Sequence, residues 1–283
     1  LIGIIGGSGL YDIEGFTERE ERPVDTPFGA PSDPPVVGRL GGHEVAFLAR
    51  HGRGHRLMPT EINFRANVFA LKTLGVDRIL SVSAVGSMRE ELVPGHMVVV
   101  DQFYDHTKRR VSTFFGDGIV GHVALAHPIC PQLADGFAKG AETAGAVVHR
   151  GGTYICIEGP QFSTLAESNV YRSWGMDVIG MTNATEAKLA REAGMCYSTL
   201  AMVTDFDCWH PDHDAVTTEA VIRVLLQNVA LSKEIIRRTL DVLPQTPPPC
   251  GCRTAAKNAV ITAREHIPKD ALERLRPILG EGA

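Results

Sequence analysis

The chain has 283 residues, 44% of them hydrophobic and 22% charged, with a net charge of −5. That length allows one large domain or two small ones with a sizeable core, and the composition is ordinary for a globular protein. The acidic balance and the absence of a Lys/Arg-rich block argue against a nucleic-acid partner, and the short, interrupted apolar runs provide no membrane-spanning helix.

Residues 2–5 form an apolar run with no basic leader or cleavage pattern before it, so it is expected to be a strand rather than a signal peptide. With no initiating Met, the native chain is expected to begin a few residues earlier. The run closes on Gly6-Gly7-Ser8-Gly9, where glycines let the backbone approach an anion and Ser8 adds a hydroxyl; a plain tight turn fits equally well. Residues 12–35 are turn-rich and polar. Residues 36–40 and 44–49 form a hairpin around Gly41-Gly42. The second of these strands runs into Arg50-His51-Gly52-Arg53-Gly54-His55. This is either a solvated basic loop or a site for bidentate contact with phosphate or carboxylate oxygens. Helical spacing of Ile62, Ala66, Phe69 and Ala70 predicts a helix over 60–74, with Thr60 as N-cap and Gly75 as stop.

Residues 78–83 form a buried strand that delivers Ala84-Val85-Gly86-Ser87, and 96–103 form another. Residues 104–130 are irregular but carry Phe114, Phe115 and His122, too apolar for a purely solvated loop, so this stretch is expected to pack on another subunit. A helix over 131–144 is followed by a strand over 147–157 that enters Glu158-Gly159-Pro160-Gln161-Phe162-Ser163. Then come a helix over 164–174 stopped by Gly175, a strand over 177–180 ending at Met181-Thr182, and a helix over 184–193. This last helix carries Glu186 and a Lys188/Glu192 pair at i,i+4. Residues 195–203 form a strand leading to Thr204-Asp205-Phe206-Asp207-Cys208-Trp209. Those acids either cap a turn or form a buried pair at the C-terminal edge of a sheet, where α/β folds place ligands. The longest helix spans 218–240 with Val221, Val224, Leu225, Ile235 and Ile236 inward, and residues 244–249 break it. Two short helices, over 253–265 and 269–279, finish the chain.

Of six cysteines, Cys130, Cys156, Cys196 and Cys208 sit in apolar contexts as small buried hydrophobes. Cys250-Gly251-Cys252 suits a strained disulfide or a redox pair; two thiolates alone are too few for zinc. Reduced thiols are the default in a cytosolic chain.

Strands alternating with helices imply an α/β layered fold. The strand ends supply glycines, hydroxyls, arginine and histidine suited to an anion, Phe and Met suited to a hydrophobic floor, and acids suited to a heterocycle. Together they point to phosphate plus an aromatic base.

These same residues resemble the trimeric purine nucleoside phosphorylase family: Gly6-Gly7-Ser8-Gly9, Arg50-His51-Gly52, Ala84-Val85-Gly86-Ser87, Glu158-Gly159-Pro160-Gln161-Phe162-Ser163, Met181-Thr182-Asn183 and Thr204-Asp205-Phe206-Asp207-Cys208-Trp209, in family order across about residues 1–240. Within it the chain is similar to the members that act on 5′-methylthioadenosine. The resemblance implies a single-domain nucleoside-phosphorylase fold, a mixed central β-sheet flanked by helices. Residues 1–243 would be the catalytic domain, and 244–283 a proline-broken helical arm packed on it. It implies phosphorolysis to adenine and 5-methylthioribose 1-phosphate with inorganic phosphate as co-substrate and no cofactor or metal. The partners implied are small molecules in a cytoplasmic homotrimer or a dimer of trimers.

By the same resemblance Ser8, Arg50, His51, Ser83, Ala84 and Thr182 would hold phosphate, Met181 the ribose and Phe162 the base. Asp205 and Asp207 would meet the N7/N6 edge, His122 would reach a neighbouring subunit's site, and Ser163 and Thr218 would tune substrate choice. A carboxyl kept protonated by burial beside a second carboxylate suits the leaving purine, which makes Asp205 the expected proton donor and Asp207 the weaker candidate. Relatives acting on 6-oxopurines carry asparagine at the first of these positions, so Asp205 favours 6-aminopurines. A phosphorylase of broader or 6-oxopurine specificity is the sister alternative. A regulatory binding protein on the same scaffold and a hydrolase are the others, the hydrolase disfavoured because Arg50, His51 and the hydroxyls would have no anion to hold. The tail follows no family motif. Its Cys-Gly-Cys resembles a motif oxidised in some thermophilic relatives, and its redox state stays open.

Overall fold

The computed structural model describes residues 1–7, 10, 13–211, 218–247 and 249–280. Its strands in chain order are β1 (Ile2–Gly6), β2 (Thr17–Glu21), β3 (Val36–Leu40), β4 (His43–Ala49), β5 (Arg78–Ser87), β6 (Met97–Val99), β7 (Gln102–His106), β8 (Val148–Arg150), β9 (Thr153–Ile157), β10 (Val178–Gly180) and β11 (Cys196–Asp205). The helices are α1 (Phe64–Thr73), α2 (Pro131–Thr143), α3 (Leu165–Ser173), α4 (Asn183–Glu192), α5 (Thr218–Val242) and α6 (Lys269–Leu279).

All the strands join one mixed sheet. β1, buried along its whole length, lies between β4 and β5 and is parallel to both. Such two-sided burial is what a continuous Ile-rich run favours. β5 organises the site. One of its edges pairs with β11 in parallel from Arg78 to Gly86. Its other edge pairs with β1 as far as Ser81, then antiparallel with β10 at Gly86 and Ser87. β10 continues the sheet to β9 and β7. Alternate side chains feed two layers. Ile2, Ile4 and Leu80 pack with Phe137 of α2 and Ile235, Ile236 and Leu240 of α5. Ile5 and Ile79 pack with Val68 of α1, Leu189 of α4 and Leu275 of α6. Within the tail, Cys252 joins the first layer and Ala259, Ala271 and Ile278 the second. Arg78 holds the proline-rich break by donating to the carbonyls of Pro244 at 2.7 Å and Gln245 at 3.1 Å.

The structure corrects several expectations. α1 begins four residues after Thr60 and is capped by Asn63, whose side chain accepts from Ala66 N–H. Thr60 instead donates to Glu158 at 2.6 Å. Ala84 to Ser87 lie inside β5 rather than in a loop after it. The predicted strand over 96–103 is two strands in different places, β6 beside β11 and β7 beside β9. The one over 147–157 is broken at Gly151 and Gly152, both at positive φ. β2, an exposed edge strand, was hidden by its charge. Lys188 and Glu192 do not pair: Lys188 binds Asp105, and Glu192 accepts from Thr113 and the Phe114 amide. Phe114 and Phe115 are buried in this chain's own core. Residues 253–265 contain only short 3₁₀ turns, Gly251–Thr254 reaching into them and Arg264–His266 at their end, and no α-helix.

Candidate active site

The sheet leaves an opening where the chemistry-bearing residues gather. Among the described strands, nothing covers residues 82–85 of β5 on the edge away from β11, because β1 stops at Ser81 and β10 starts at Gly86. Alternate backbone groups of this stretch face the opening rather than a ladder partner, and buried backbone groups need partners. The predicted Ser83 and Ala84 lie in this stretch, Ser83 buried and Ala84 half-buried.

Arg50 follows β4 directly and is buried at 3% exposure. Its guanidinium forms a fork with Glu186: Nε donates to one carboxylate oxygen and Nη2 to the other at 3.2 Å. Nη2 also donates to Ser81 Oγ at 2.7 Å, and Nη1 to Val82 O at 3.1 Å. Burial works against the Arg50 charge, but Glu186 outweighs it and raises the pKa. Four of the five guanidinium N–H groups are thereby used, and the second one on Nη1 has no acceptor among the described residues. Glu186 also accepts from Ser81 Oγ and Tyr197 OH, each at 2.9 Å. Asn183 Nδ2 lies 3.0 Å from Ser81 Oγ and 2.8 Å from both Tyr197 OH and Thr199 Oγ1. This network joins β4, β5, α4 and β11. It brings the N-terminus of α4, where buried Thr182 occupies the cap, beside Arg50 and the Ser81/Ser83 face of β5. A helix N-terminus, a buried guanidinium and strand hydroxyls make an anion site.

His51 lies on the same side. Its Nδ1 is 2.8 Å from Leu57 O, and its ring stacks on His55 with centroids 4.2 Å apart. A carbonyl only accepts, so Nδ1 carries the proton and Nε2 keeps a lone pair. Burial, then Arg50, lowers its pKa to about 4. The folded pKa lies below the unfolded value of 6.5. The unfolded chain therefore binds more protons between those values, and stability falls as pH drops through that window. NMR titration should find the His51 imidazole neutral where ordinary histidines titrate; a midpoint near 6.5 would show that its ring is not buried beside Arg50 in solution.

The acids stand at the end of β11, beside Gly86 of β5. The ladder between β11 and β5 shifts register between Val203 and Asp205. Such a bulge re-aims the side chain that follows it. Asp205 Oδ2 accepts from Thr204 Oγ1 at 2.7 Å and Oδ1 from the Asp207 amide at 2.8 Å. Asp207 is buried, with φ +51°, a left-handed conformation that aspartate tolerates. Burial raises both pKa values; for Asp205 the neighbouring Asp207 adds to the shift, while hydrogen bonds to each carboxylate oppose it. Gly86 makes the arrangement possible, because a Cβ there would lie 2.8 Å from Asp205 Oδ1 and 2.9 Å from Ile179 Cγ2. Gly86→Ala is expected to displace Asp205 and lower kcat/KM about 100-fold, the cost of an ångström-scale misplacement, with little change in the unfolding midpoint. Wild-type kinetics in that variant would show that Asp205 does not need its observed position.

The floor is set by a second network that sequence reasoning missed. Glu158 accepts from Thr60, from the Arg109 amide at 3.0 Å and from Arg110 Nε at 3.1 Å. Burial opposes its charge, but these donors hold its pKa down to about 2. Arg110 also donates to Met181 O at 2.8 Å and Glu158 O at 2.7 Å, fixing the two loops against each other. Met181 Sδ packs where a Gly159 Cβ would otherwise stand. Phe162 is 45% exposed on its loop, and Ser163, half-buried, lies close to Asp207. Arg50, Ser83, Ala84 and Thr182 thus gather along the middle of β5, and Asp205 and Asp207 stand beside Gly86 near its end. Ser8 lies outside the described residues, and so does the side chain of Thr218, the first residue of α5. His122 is exposed and held by its amide to Ala259 O at 2.8 Å; no described hydrogen bond carries its ring to the opening. Glu186, Asn183 and Arg110 carried no local signal, since their partners are remote in the chain.

Comparison with known proteins agrees with this picture. The profile described as Phosphorylase superfamily matches residues 1–241. The S-methyl-5′-thioadenosine phosphorylase of Koribacter versatilis is 57% identical over 280 residues, 99% of this chain and 96% of that protein. Among solved structures, a methylthioadenosine phosphorylase from an antarctic soil metagenomic library superposes with TM-score 0.94 at 49% identity, covering 99% of this chain and 98% of that one. The methylthioadenosine phosphorylase from Schistosoma mansoni in complex with adenine gives 0.81 at 39% identity, over 84% of this chain and 90% of that one.

Proposed function

The chain belongs to the phosphorylase superfamily, and from that premise we propose that it cleaves S-methyl-5′-thioadenosine with inorganic phosphate, releasing adenine and 5-methylthioribose 1-phosphate. It is a pentosyltransferase. The observation that carries this reading is the half-buried Asp205 carboxyl aimed by the β11 bulge beside Asp207, in a chain alike over 99% of its length to an enzyme of that activity.

Phosphate is held by Arg50 Nη1, the α4 N-terminus with Thr182, the β5 stretch with Ser83 and Ala84, Ser8 and His51. Its oxygen attacks C1′ as the bond from C1′ to N9 breaks. Positive charge grows on the ribose and negative charge on the purine. The bound phosphate stabilises the first, and positioning lowers much of the barrier. Asp205, whose pKa burial raises, donates a proton to N7, and Asp207 accepts from the N6 amino group. Adenine keeps the proton that Asp205 gives it, Asp205 regains one from solvent, and hydrogen phosphate releases its own to solvent, so charge and atoms balance with no cofactor. Met181 lies under the ribose, Phe162 covers the base, and Ser163 and Thr218 adjust substrate choice.

The active assembly is a cytoplasmic homotrimer, or a dimer of trimers, in which exposed His122 reaches a neighbouring protomer's 5′ end. Phosphorus NMR of the reaction tests the central reading. A sugar 1-phosphate should appear in step with adenine, and neither should form without phosphate. Free methylthioribose released in phosphate-free buffer would instead mean hydrolysis.

A further inference from the structure

Four cysteines that are far apart in the sequence converge at the end of β11 opposite Asp205. Cys130 is the N-cap of α2, Cys196 opens β11, and Cys250 and Cys252 flank Gly251 at the 3₁₀ turn after the proline-rich break. Their sulfurs all lie within 4.8 Å of one another, and those of Cys196 and Cys250 are 3.3 Å apart. Cys130, Cys196 and Cys252 are buried and Cys250 is half-buried, and all are free thiols.

A zinc ion at about 2.3 Å from each of four thiolates sets them about 3.8 Å apart, and the four sulfurs here, no pair more than 4.8 Å apart, have the spacing such an ion needs within an ångström. A disulfide would need its sulfurs at about 2.0 Å, well inside the separation of Cys196 and Cys250. The scaffold is rigid: the Cys130 amide donates to Tyr197 O at 2.9 Å and the Cys196 amide to Asp77 O at 3.0 Å. The first-turn amides of Gln132 and Leu133 on α2 face the Cys130 sulfur, and Arg191 lies near Cys252.

We propose that Cys130, Cys196, Cys250 and Cys252 form a structural tetrathiolate site for one zinc ion, which fastens the C-terminal arm to α2 and β11. Binding exchanges thiol protons for metal–sulfur bonds and releases the protons to solvent; nothing is oxidised or reduced. Four protein ligands leave no open position for substrate or water, which is the pattern of structural rather than catalytic zinc. The site lies the length of β11 from Asp205, about 30 Å at an ordinary strand rise. Metal therefore acts on stability and not on the chemical step. The cluster revises the sequence expectation for Cys250 and Cys252, because the fold supplies the two further thiols that a zinc site requires.

The test uses the full-length protein, purified without a histidine tag in reducing buffer. Elemental analysis should find about one zinc per chain. Apo protein refilled with cobalt(II) should show the charge-transfer and ligand-field absorption of tetrahedral cobalt thiolate. Chelation should lower the unfolding midpoint, zinc should restore it, and kcat at low temperature should change less than twofold. Cys250→Ser and Cys196→Ser should lose the metal while Cys156→Ala keeps it. Should the serine variants fail to fold, the metal content and cobalt spectrum of the wild type still decide. Wild-type protein without metal, carrying four alkylatable thiols or disulfides among these cysteines by peptide mass spectrometry, would overturn the proposal.

Discussion

Asp205→Asn is expected to lower kcat/KM for S-methyl-5′-thioadenosine by about 10²- to 10⁴-fold, the range for loss of a general acid, while leaving phosphate affinity nearly unchanged. The substitution keeps the side chain's size and its contacts with Thr204 and the Asp207 amide within reach, at 2.7 and 2.8 Å in the native protein. It removes the transferable proton. Because burial raises the Asp205 pKa, the acid is protonated below that value and ionised above it. Wild-type kcat/KM should therefore decline as pH rises through the raised pKa, and the variant should lose that limb. The raised value also has a sign for stability: the contribution of Asp205 is fully present below its unfolded pKa and lost as pH rises through the folded one. Asp205 therefore stabilises the fold less once it ionises. Asparagine also presents an N–H to the base, so the remaining activity should shift toward 6-oxopurine nucleosides. Unchanged turnover with an unchanged pH profile would remove Asp205 from the chemistry.

The second large effect is expected at Glu186. Glu186→Ala leaves the Arg50 guanidinium buried without its counter-charge, and Ser81 and Tyr197 without an acceptor. Breaking one side of a buried ion pair costs about 3–5 kcal/mol, read as a lower urea midpoint. The KM for phosphate should rise as well, because Arg50 loses the fork that aims its remaining N–H. The double variant Arg50→Met, Glu186→Leu separates the two roles. It should recover much of the stability, since an apolar replacement of a buried pair is often neutral, yet it should not recover phosphate binding. A stability loss below about 1 kcal/mol in the single variant would place the pair in solvent-like surroundings, against its 3% exposure.

The sequence made the local parts of this site legible and not their assembly. β1, β4, β10 and β11 announce themselves as apolar runs, and each ends on or just before residues of the candidate site. Paired acids after a buried strand are a visible signal, and so is arginine-histidine-glycine after another. Strand limits were less visible, because glycine and serine in β5 look like a loop until β10 and β11 pair with them. Thr60 has the chemistry of a cap, but Glu158, 98 residues away, takes its hydroxyl. Glu186 looks like any first-turn acid on α4; its partner Arg50 lies 136 residues away. The four-thiol cluster likewise joins positions up to 122 residues apart, from Cys130 to Cys252. Nothing local marks such contacts, because they are made by the packing of finished elements.

The central claim is that a phosphate site next to Asp205 and Asp207 selects a 6-aminopurine nucleoside. Its most direct test is kcat/KM for S-methyl-5′-thioadenosine, adenosine and inosine, measured at saturating phosphate. S-methyl-5′-thioadenosine should be cleaved fastest and inosine slowest, by at least about 100-fold, since a site built to pair with a substrate N–H strongly rejects the analogue lacking it. Inosine turned over as fast as S-methyl-5′-thioadenosine would contradict the account.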